Sequence, residues 1–330
     1  MLKAVITGVA GQDGSYLADF LLSKGYFVIG ISLRHSSGSD HKNISHIINS
    51  GEKNFLLIEG NILDQTLISR VLHDHKPHEW YNLAAMSHVG QSFREPLATF
   101  EVDAKAVISQ LELIRQISPY TRFYQASTSE LFGGLKCPKT GYTEESKFHP
   151  RSPYGVAKLA AFWSVVNYRE AYNIFACNGI LHNHSSPRRG KDFATRKITR
   201  GVAKVFLGIE DKLRMGNLEA FRDEGHSKDY CKAMWMMLQS EVPKDYLVAT
   251  GTGASIKEML KYVCELAGLS IDKVYEQDER FMRPSEVPFL LGNPAKIISD
   301  LGWEPSYSWK DLLKEMYEAD LEELSKVSKV

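Results

Sequence analysis

The chain has 330 residues, enough for two lobes around a sizeable core, and its apolar (43%) and charged (24%) fractions are those of an ordinary globular protein. Its 40 basic and 40 acidic side chains cancel, so bulk charge argues against nucleic acid or an anionic membrane as partner. Any polyanionic ligand must be held by a local basic cluster.

The four cysteines, Cys137, Cys177, Cys231 and Cys264, show neither zinc-site spacing nor a disulfide framework, so reduced thiols and no metal site are expected. The first strand starts almost at Met1 with no signal-like segment before it. No apolar run approaches the roughly 18 residues of a membrane span. A cytoplasmic location is the expectation.

Taken in chain order, short apolar runs alternate with amphipathic stretches. Leu2–Thr7 reads as a buried strand. Ser15–Ser23 places Tyr16, Leu17, Phe20 and Leu21 on one helical face, with Gly25 as a stop. Phe27–Ile31 and Phe55–Glu59 are further strands, and Asp64 is placed to cap a helix carrying Leu67, Ile68, Val71 and Leu72. Trp80–Ala84 is a strand, followed by a long helical pattern from about Leu97 to Ile117. Then come a strand at Phe123–Ser127, a helix at Tyr154–Tyr172 and a strand at Phe175–Leu181.

This order predicts an α/β fold, a Rossmann-type doubly wound parallel sheet over residues 1–185. Residues 186–330 read mostly as a smaller, interwoven α/β substrate lobe. There Ser186–Lys191, Met215–His226 and Arg280–Pro288 look loop-like, and Tyr246–Thr250 returns a late strand to the first lobe.

Three motifs carry chemistry. In Thr7-Gly8-Val9-Ala10-Gly11-Gln12-Asp13-Gly14, glycines at spacing three follow a strand and open a helix. They allow a tight turn and let the backbone approach a pyrophosphate at the helix N-terminus. An ordinary glycine-rich turn is the bland alternative, but its place at the first strand–helix junction favours dinucleotide binding. The second strand ends in Arg34, Ser36 and Ser37 rather than in an acid. An arginine there can pair with a 2′-phosphate, so NADP is expected over NAD.

The third motif is Tyr154-Gly155-Val156-Ala157-Lys158. Among fifteen tyrosines only Tyr154 has a lysine four residues on, which puts both on one helical face. The ammonium of Lys158 should depress the tyrosine pKa toward working pH and make it a base for an alcohol. The preceding strand ends Ser127-Thr128-Ser129-Glu130. Thr128 can hydrogen-bond a sugar oxygen. Glu130 adds an acid/base group that alcohol oxidation alone does not need but water elimination does.

With these residues in view, the chain resembles the extended short-chain dehydrogenase/reductases and, within them, the GDP-mannose 4,6-dehydratases. Thr7–Leu17 (TGVAGQDGSYL), Tyr124–Leu131 (YQASTSEL), Pro150–Lys158 (PRSPYGVAK), Asn183–Gly190 (NHSSPRRG), Thr195–Ile198 (TRKI), Gly216–Tyr230 (GNLEAFRDEGHSKDY) and Arg283–Val287 (RPSEV) carry the likeness.

The resemblance implies catalytic positions at Thr128, Glu130, Tyr154 and Lys158. It implies NADP contacts at Gly8, Gly11, Gln12, Asp13, Gly14, Arg34, Asn61, Ile62, Leu83, Ser87, Lys158, His184 and Arg189. It places the nucleotide sugar on Asn183, Lys197, Arg222, Arg283 and Glu286. It further implies a GDP-linked sugar as partner, a homodimer or homotetramer, and a dehydration that returns its hydride.

Some positions depart from the usual pattern. Arg-Arg-Ser-Ser reads Leu33-Arg34-His35-Ser36, Gly-Asp-Leu reads Gly60-Asn61-Ile62, and Gly-Ala-Gln reads Ala84-Ala85-Met86. The glutamate of Asn-His-Glu-Ser is Ser185, and Lys-Arg-Asp-Trp reads Phe221-Arg222-Asp223-Glu224. These changes keep the chemistry but leave the sugar open: GDP-mannose, another epimer, a manno-heptose or an N-acetyl sugar. An epimerase or ketosugar reductase would need Tyr154 and Lys158 and have less use for Glu130. A catalytically silent, NADP-sensing protein would need neither.

Overall fold

The computed structural model describes residues 1–34, 41–281, 285 and 287–327; residues 35–40, 282–284, 286 and 328–330 lie outside the described residues. The first half runs β1 (Lys3–Thr7), α1 (Gln12–Ser23), β2 (Phe27–Ser32), α2 (Ser45–Ser50), β3 (Phe55–Glu59), α3 (Gln65–His75), β4 (Glu79–Asn82), α4 (Val89–Ser92), α5 (Pro96–Phe100), α6 (Ala106–Ile117), β5 (Arg122–Thr128), α7 (Pro153–Tyr172), β6 (Ala176–Leu181) and β7 (Asn183–Ser185). The second half runs α8 (Ala194–Phe206), β8 (Leu213–Met215), β9 (Phe221–His226), α9 (Ser227–Gln239), β10 (Tyr246–Val248), β11 (Gly253–Ser255), α10 (Ile256–Leu266), α11 (Ile271–Val274), β12 (Tyr275–Gln277), β13 (Phe289–Leu290), α12 (Ala295–Leu301) and α13 (Trp309–Val327).

Seven parallel strands form the main sheet in the order β10-β6-β5-β4-β1-β2-β3. The order reverses between β1 and β4, and ligands of such sheets sit at the strand C-termini beside that reversal. Alternate strand residues go to opposite faces. Ala4, Ile6 and Tyr124 pack with Leu17 of α1 and Met234 of α9 on one face. Val5, Ile29 and Phe123 pack with Val71 of α3, Leu111 of α6 and Val165 of α7 on the other. The late strand expected at Tyr246–Thr250 is β10, at the sheet edge beside β6.

Local chemistry sets the element ends. Asp64 caps α3 by accepting from the amides of Thr66 (2.9 Å) and Leu67 (3.3 Å). Ser152 caps α7 through the amide of Gly155 (3.0 Å), with Pro153 at the first helical position.

A second assembly pairs β9 with β11, β13 and β7, and a third core joins Ile198 and Val202 of α8, Met259 of α10 and Leu313 of α13. The loop expected over Met215–His226 is corrected here: its second half is β9. Its polar sequence lacks a strand's apolar alternation because its side chains find partners inside the protein. Asp223 accepts from Thr250 N (2.8 Å) and Gly251 N (3.0 Å). The long helical pattern at 97–117 is also not one regular helix. Glu101–Lys105 forms a π-helical segment between α5 and α6.

Candidate active site

The glycine turn joins β1 to α1. Gly8 has φ +72°, and its carbonyl accepts from the amide of Gly11 at 2.9 Å. A methyl on Gly14 would lie 2.3 Å from the Gly8 oxygen and 2.7 Å from Val9 Cα, so the first helical turn can approach the strand only as glycine. The cradle fits a dinucleotide pyrophosphate, with the α1 N-terminus aimed into it. Thr7 ties this turn to the end of β4: its hydroxyl donates to Asn82 Oδ1 (2.8 Å) and accepts from the amides of Leu83 and Ala84 (both 3.1 Å). Asn82 continues the polar ladder to Gln125 on β5 (2.8 Å).

Gln12 and Asp13 do not present free side chains to this cradle. Gln12 donates to the carbonyl of His184 (3.3 Å) and accepts from Ser186 Oγ (3.0 Å). Asp13 lies 2.8 Å from His184 Nε2 and accepts from Ser227 Oγ at 2.5 Å. Although burial opposes ionisation of Asp13, the His184 charge and hydrogen bond hold its carboxyl well below the usual range. Burial likewise opposes a charge on His184, but Asp13 wins and raises its pKa. These side chains clamp the turn to β7 and α9.

The remaining cofactor candidates are scattered in role. Arg34, its side chain 73% exposed, forms an ion pair with Glu59 Oε2 at 3.6 Å; Ser36 and Ser37 lie outside the described residues. Asn61 folds back to accept from the amide of Leu63 (3.0 Å), and the side chain of Ile62 is in the core. Leu83 is partly buried against the core. Ser87 is exposed and lines a hollow of about 210 Å³ with Met86, His88 and Phe193. Arg189 stacks its guanidinium 3.8 Å above the Phe193 ring.

At the end of β5, Thr128, Glu130, Tyr154 and Lys158 come together, all buried. Thr128 Oγ1 accepts from the amide of Glu130 (3.2 Å) and hydrogen-bonds Tyr154. The expected acidification of Tyr154 is not what the structure gives. Burial pushes the phenol up, Asp103 and Glu130 add to this, and only Thr128 and Arg189 oppose it. Lys158 donates instead to the carbonyl of Ala126 (3.1 Å); burial lowers its pKa and Asp103 counters that.

Asp103 is a residue that periodicity conceals. It sits on the π-helical segment, buried. One oxygen accepts from the amide of Met86 (2.8 Å), and the other has no hydrogen-bond partner among the described residues. A lone acid on the buried side of an apolar helical pattern was its only signal.

On the opposite wall, parallel pairing sets Asn183 of β7 beside Glu224 of β9, and Arg222 lies two residues earlier on the same face. Asn183 Oδ1 is buried without a hydrogen-bond partner among the described residues. Lys197 of α8 lies 3.1 Å from the Phe281 ring centre. Arg283 and Glu286 lie outside the described residues. Among the described residues, no group of three His, Cys, Asp or Glu side chains could hold a metal ion, and no helix is long and apolar enough to cross a membrane.

Solved structures place this geometry in a known fold. The chain superposes on a UDP-glucose 4-epimerase of Thermotoga maritima with TM-score 0.85, at 25% identity over 98% of this chain and 100% of that one. It also superposes on DesIV, a dTDP-glucose 4,6-dehydratase of Streptomyces venezuelae with NAD bound. There the TM-score is 0.86, at 20% identity over 98% of each chain. Closer in sequence are the GDP-mannose 4,6-dehydratase of Vibrio cholerae, 44% identical over 97% of this chain and 94% of its own, and GDP-mannose 4,6 dehydratase 2 of Caenorhabditis elegans, 45% identical over 96% and 88%. A family model described as GDP-mannose 4,6 dehydratase matches residues 5–316, and with that span, these identities and the dehydratase corner in place, the chain belongs to the GDP-mannose 4,6-dehydratase family.

Proposed function

We propose that the protein converts GDP-mannose to a GDP-4-keto-6-deoxy sugar, with NADP as the tightly held hydride carrier. The observation that carries this reading is Glu130, a buried carboxylate beside Thr128 and Tyr154, where alcohol oxidation by itself needs no second acid/base group.

Held by the glycine turn, a nicotinamide dinucleotide would supply a reversible hydride acceptor for oxidation at C4 and reduction at C6. Tyr154 receives the C4 hydroxyl proton while Thr128 holds the same oxygen. The 4-ketone then acidifies C5; Glu130 removes that proton and, with Thr128, delivers a proton to the C6 hydroxyl, which leaves as water, and C5 takes a proton from solvent as C6 is reduced. Asn183, Lys197 and Arg222, with Arg283 and Glu286, hold the sugar nucleotide; its diphosphate needs such cations in a chain of zero net charge. Residues 1–185 form the cofactor lobe together with α9 and β10, and the rest of residues 186–330 mostly the substrate lobe. Burial holds the Tyr154 phenol above its ordinary range, and Thr128 and Arg189 are the groups that pull it back toward a base.

The test incubates the protein with GDP-mannose and follows 4-keto product with and without added NADPH. Product without net cofactor use supports dehydration; reduction only with NADPH, or no reaction, overturns it. A second reading, the same chemistry on a GDP-manno-heptose or GDP-N-acetyl sugar, is favoured by Met86, which puts an apolar side chain where the family's usual pattern has glutamine, beside the 210 Å³ hollow. A panel of the three GDP-sugars separates them. Self-association is assigned to the packed α5, α6 and α7, which leave Leu97, Phe100, Ile108, Val156 and Trp163 exposed; sedimentation of wild type against Trp163→Glu tests it.

A further inference from the structure

Two of the departures from the family's usual pattern touch each other. Position 185, a glutamate in Asn-His-Glu-Ser, is serine here; position 224, a tryptophan in Lys-Arg-Asp-Trp, is glutamate. They lie 39 residues apart in the chain, yet Ser185 Oγ donates to Glu224 Oε1 at 2.5 Å. The parallel pairing of β7 with β9 explains the contact. Asn183 faces Glu224 and Ser185 faces His226, so Glu224 and Ser185 are diagonal neighbours on one face. Both are buried, Glu224 at 3% exposure and Ser185 at 1%.

A carboxylate has left one strand and arrived on its neighbour, with a small residue taking its old place. The swap keeps one carboxylate in the buried spot while side-chain volume falls, since serine stands for glutamate at 185 and glutamate for tryptophan at 224. Burying an unpaired carboxylate is costly, so its retention asks for a reason. Burial pushes the Glu224 carboxyl up, and the Ser185 hydroxyl with the nearby Arg189 and His184 charges pulls it back toward the carboxylate.

The hydrogen bonds go further. Ser185 Oγ also meets Thr195 Oγ1 at 2.7 Å. Thr195 is in the first turn of α8, two residues before Lys197. Glu224 is two residues after Arg222 on β9, and Ser185 two residues after Asn183 on β7. The chain Glu224–Ser185–Thr195 therefore joins the three elements that carry the three described sugar-nucleotide candidates.

We infer that Glu224 supplies from β9 the carboxylate that the family's usual pattern carries on β7, and that it is a positioning residue for Asn183, Arg222 and Lys197. The naming of the sugar nucleotide rests on the function proposed above. Glu224 does not reach the reacting carbons through any contact described here; it acts through the register of β7, β9 and α8. Its removal loosens nucleotide binding and leaves the Tyr154 and Glu130 chemistry on β5 and α7 in place.

The test is a double-mutant cycle on the full-length protein: Glu224→Trp, Ser185→Glu and the pair combined. It is read by calorimetric affinity for GDP, by KM and kcat with GDP-mannose, and by Tm. Glu224→Trp removes the carboxylate, and Ser185→Glu crowds a second one against it. Each alone should weaken GDP binding and raise KM roughly tenfold, with kcat changed less than about threefold. The combined variant should recover to within about threefold of wild type.

Losses that simply multiply in the combined variant overturn the inference. So does recovery of Tm without recovery of GDP affinity, which would make the contact merely structural. If Glu224→Trp does not fold, the near-isosteric Glu224→Gln closes the same cycle with Ser185→Glu. If wild type binds GDP but does not turn over GDP-mannose, the proposed function fails while the GDP cycle still decides this inference.

Discussion

The glycine turn and the β7–β9 wall, the two places where we propose that phosphates are held, are built from opposite materials. The turn is made of backbone. Added methyls at Gly8 and Gly14 would meet backbone atoms at 3.0 and 2.3 Å, and no side chain elsewhere can take over that role. The wall is made of side chains from β7, β9 and α8, and there the carboxylate of one strand has been exchanged for that of the next. A site built from backbone geometry is confined to one sequence solution. A site built from side-chain charge tolerates any arrangement that puts the charge back. Residues 7–17 accordingly keep the family's turn, while 185 and 224 both depart from its usual pattern.

The contrast is broken most sharply in the catalytic corner, where side chains do the chemistry itself. Glu130→Gln should slow dehydration by about 10²–10⁴ and cut solvent-deuterium incorporation at C5, with NADP affinity unchanged. Near wild-type turnover would remove Glu130 from the mechanism. Tyr154→Phe should lose turnover at least as completely while still binding cofactor in a fluorescence titration.

Gly14→Ala tests the backbone half. The methyl overlaps Gly8 and Val9, so α1 must shift. Overpacking of this kind costs about 1–3 kcal/mol, and cofactor affinity should fall roughly ten- to a hundredfold with no change in GDP affinity. Unaltered cofactor binding would show that the turn is not where the pyrophosphate sits.

Arg34→Ala should weaken NADP binding about tenfold and NAD binding little, because only a 2′-phosphate gains from this charge. The exposed pair with Glu59 puts the effect at the lower end of that range. Equal losses for both cofactors would place Arg34 outside 2′-phosphate recognition.

The smallest effect concerns the clamp between the two halves. Asp13 has a depressed pKa, so its contribution to stability is present above the ordinary value of 3.8 and lost as pH falls below it. His184 has a raised pKa, so its contribution is present below 6.5 and lost as pH climbs through its higher folded value. The clamp is therefore fullest between 3.8 and 6.5. Asp13→Asn should lower Tm, by about 2 °C more at pH 6 than at pH 9. A gap that widens at alkaline pH would contradict a charged His184.

Several features were legible because they are local. The Asp64 cap, the glycine turn, and the i, i+4 placement of Tyr154 and Lys158 depend on residues within one helical turn of each other. β9 was not legible, since a strand whose polar side chains are all satisfied internally looks like a loop. Asp103 was not legible either, because a π-helical segment shifts the register that a 3.6-residue pattern assumes.

By itself the sequence determined the sheet's alternation, the glycine turn and the placing of Tyr154 and Lys158 on one helix, because spacing along a helix or a strand dictates which groups share a face. Only the tertiary structure decided what those groups experience. Lys158 turns to the Ala126 carbonyl, and burial, with Asp103 and Glu130, pushes the Tyr154 phenol up. Asp13 meets His184 across 171 residues of chain, and Ser185 meets Glu224 across 39. Burial and long-range pairing are properties of the packed molecule, and no local pattern carries them.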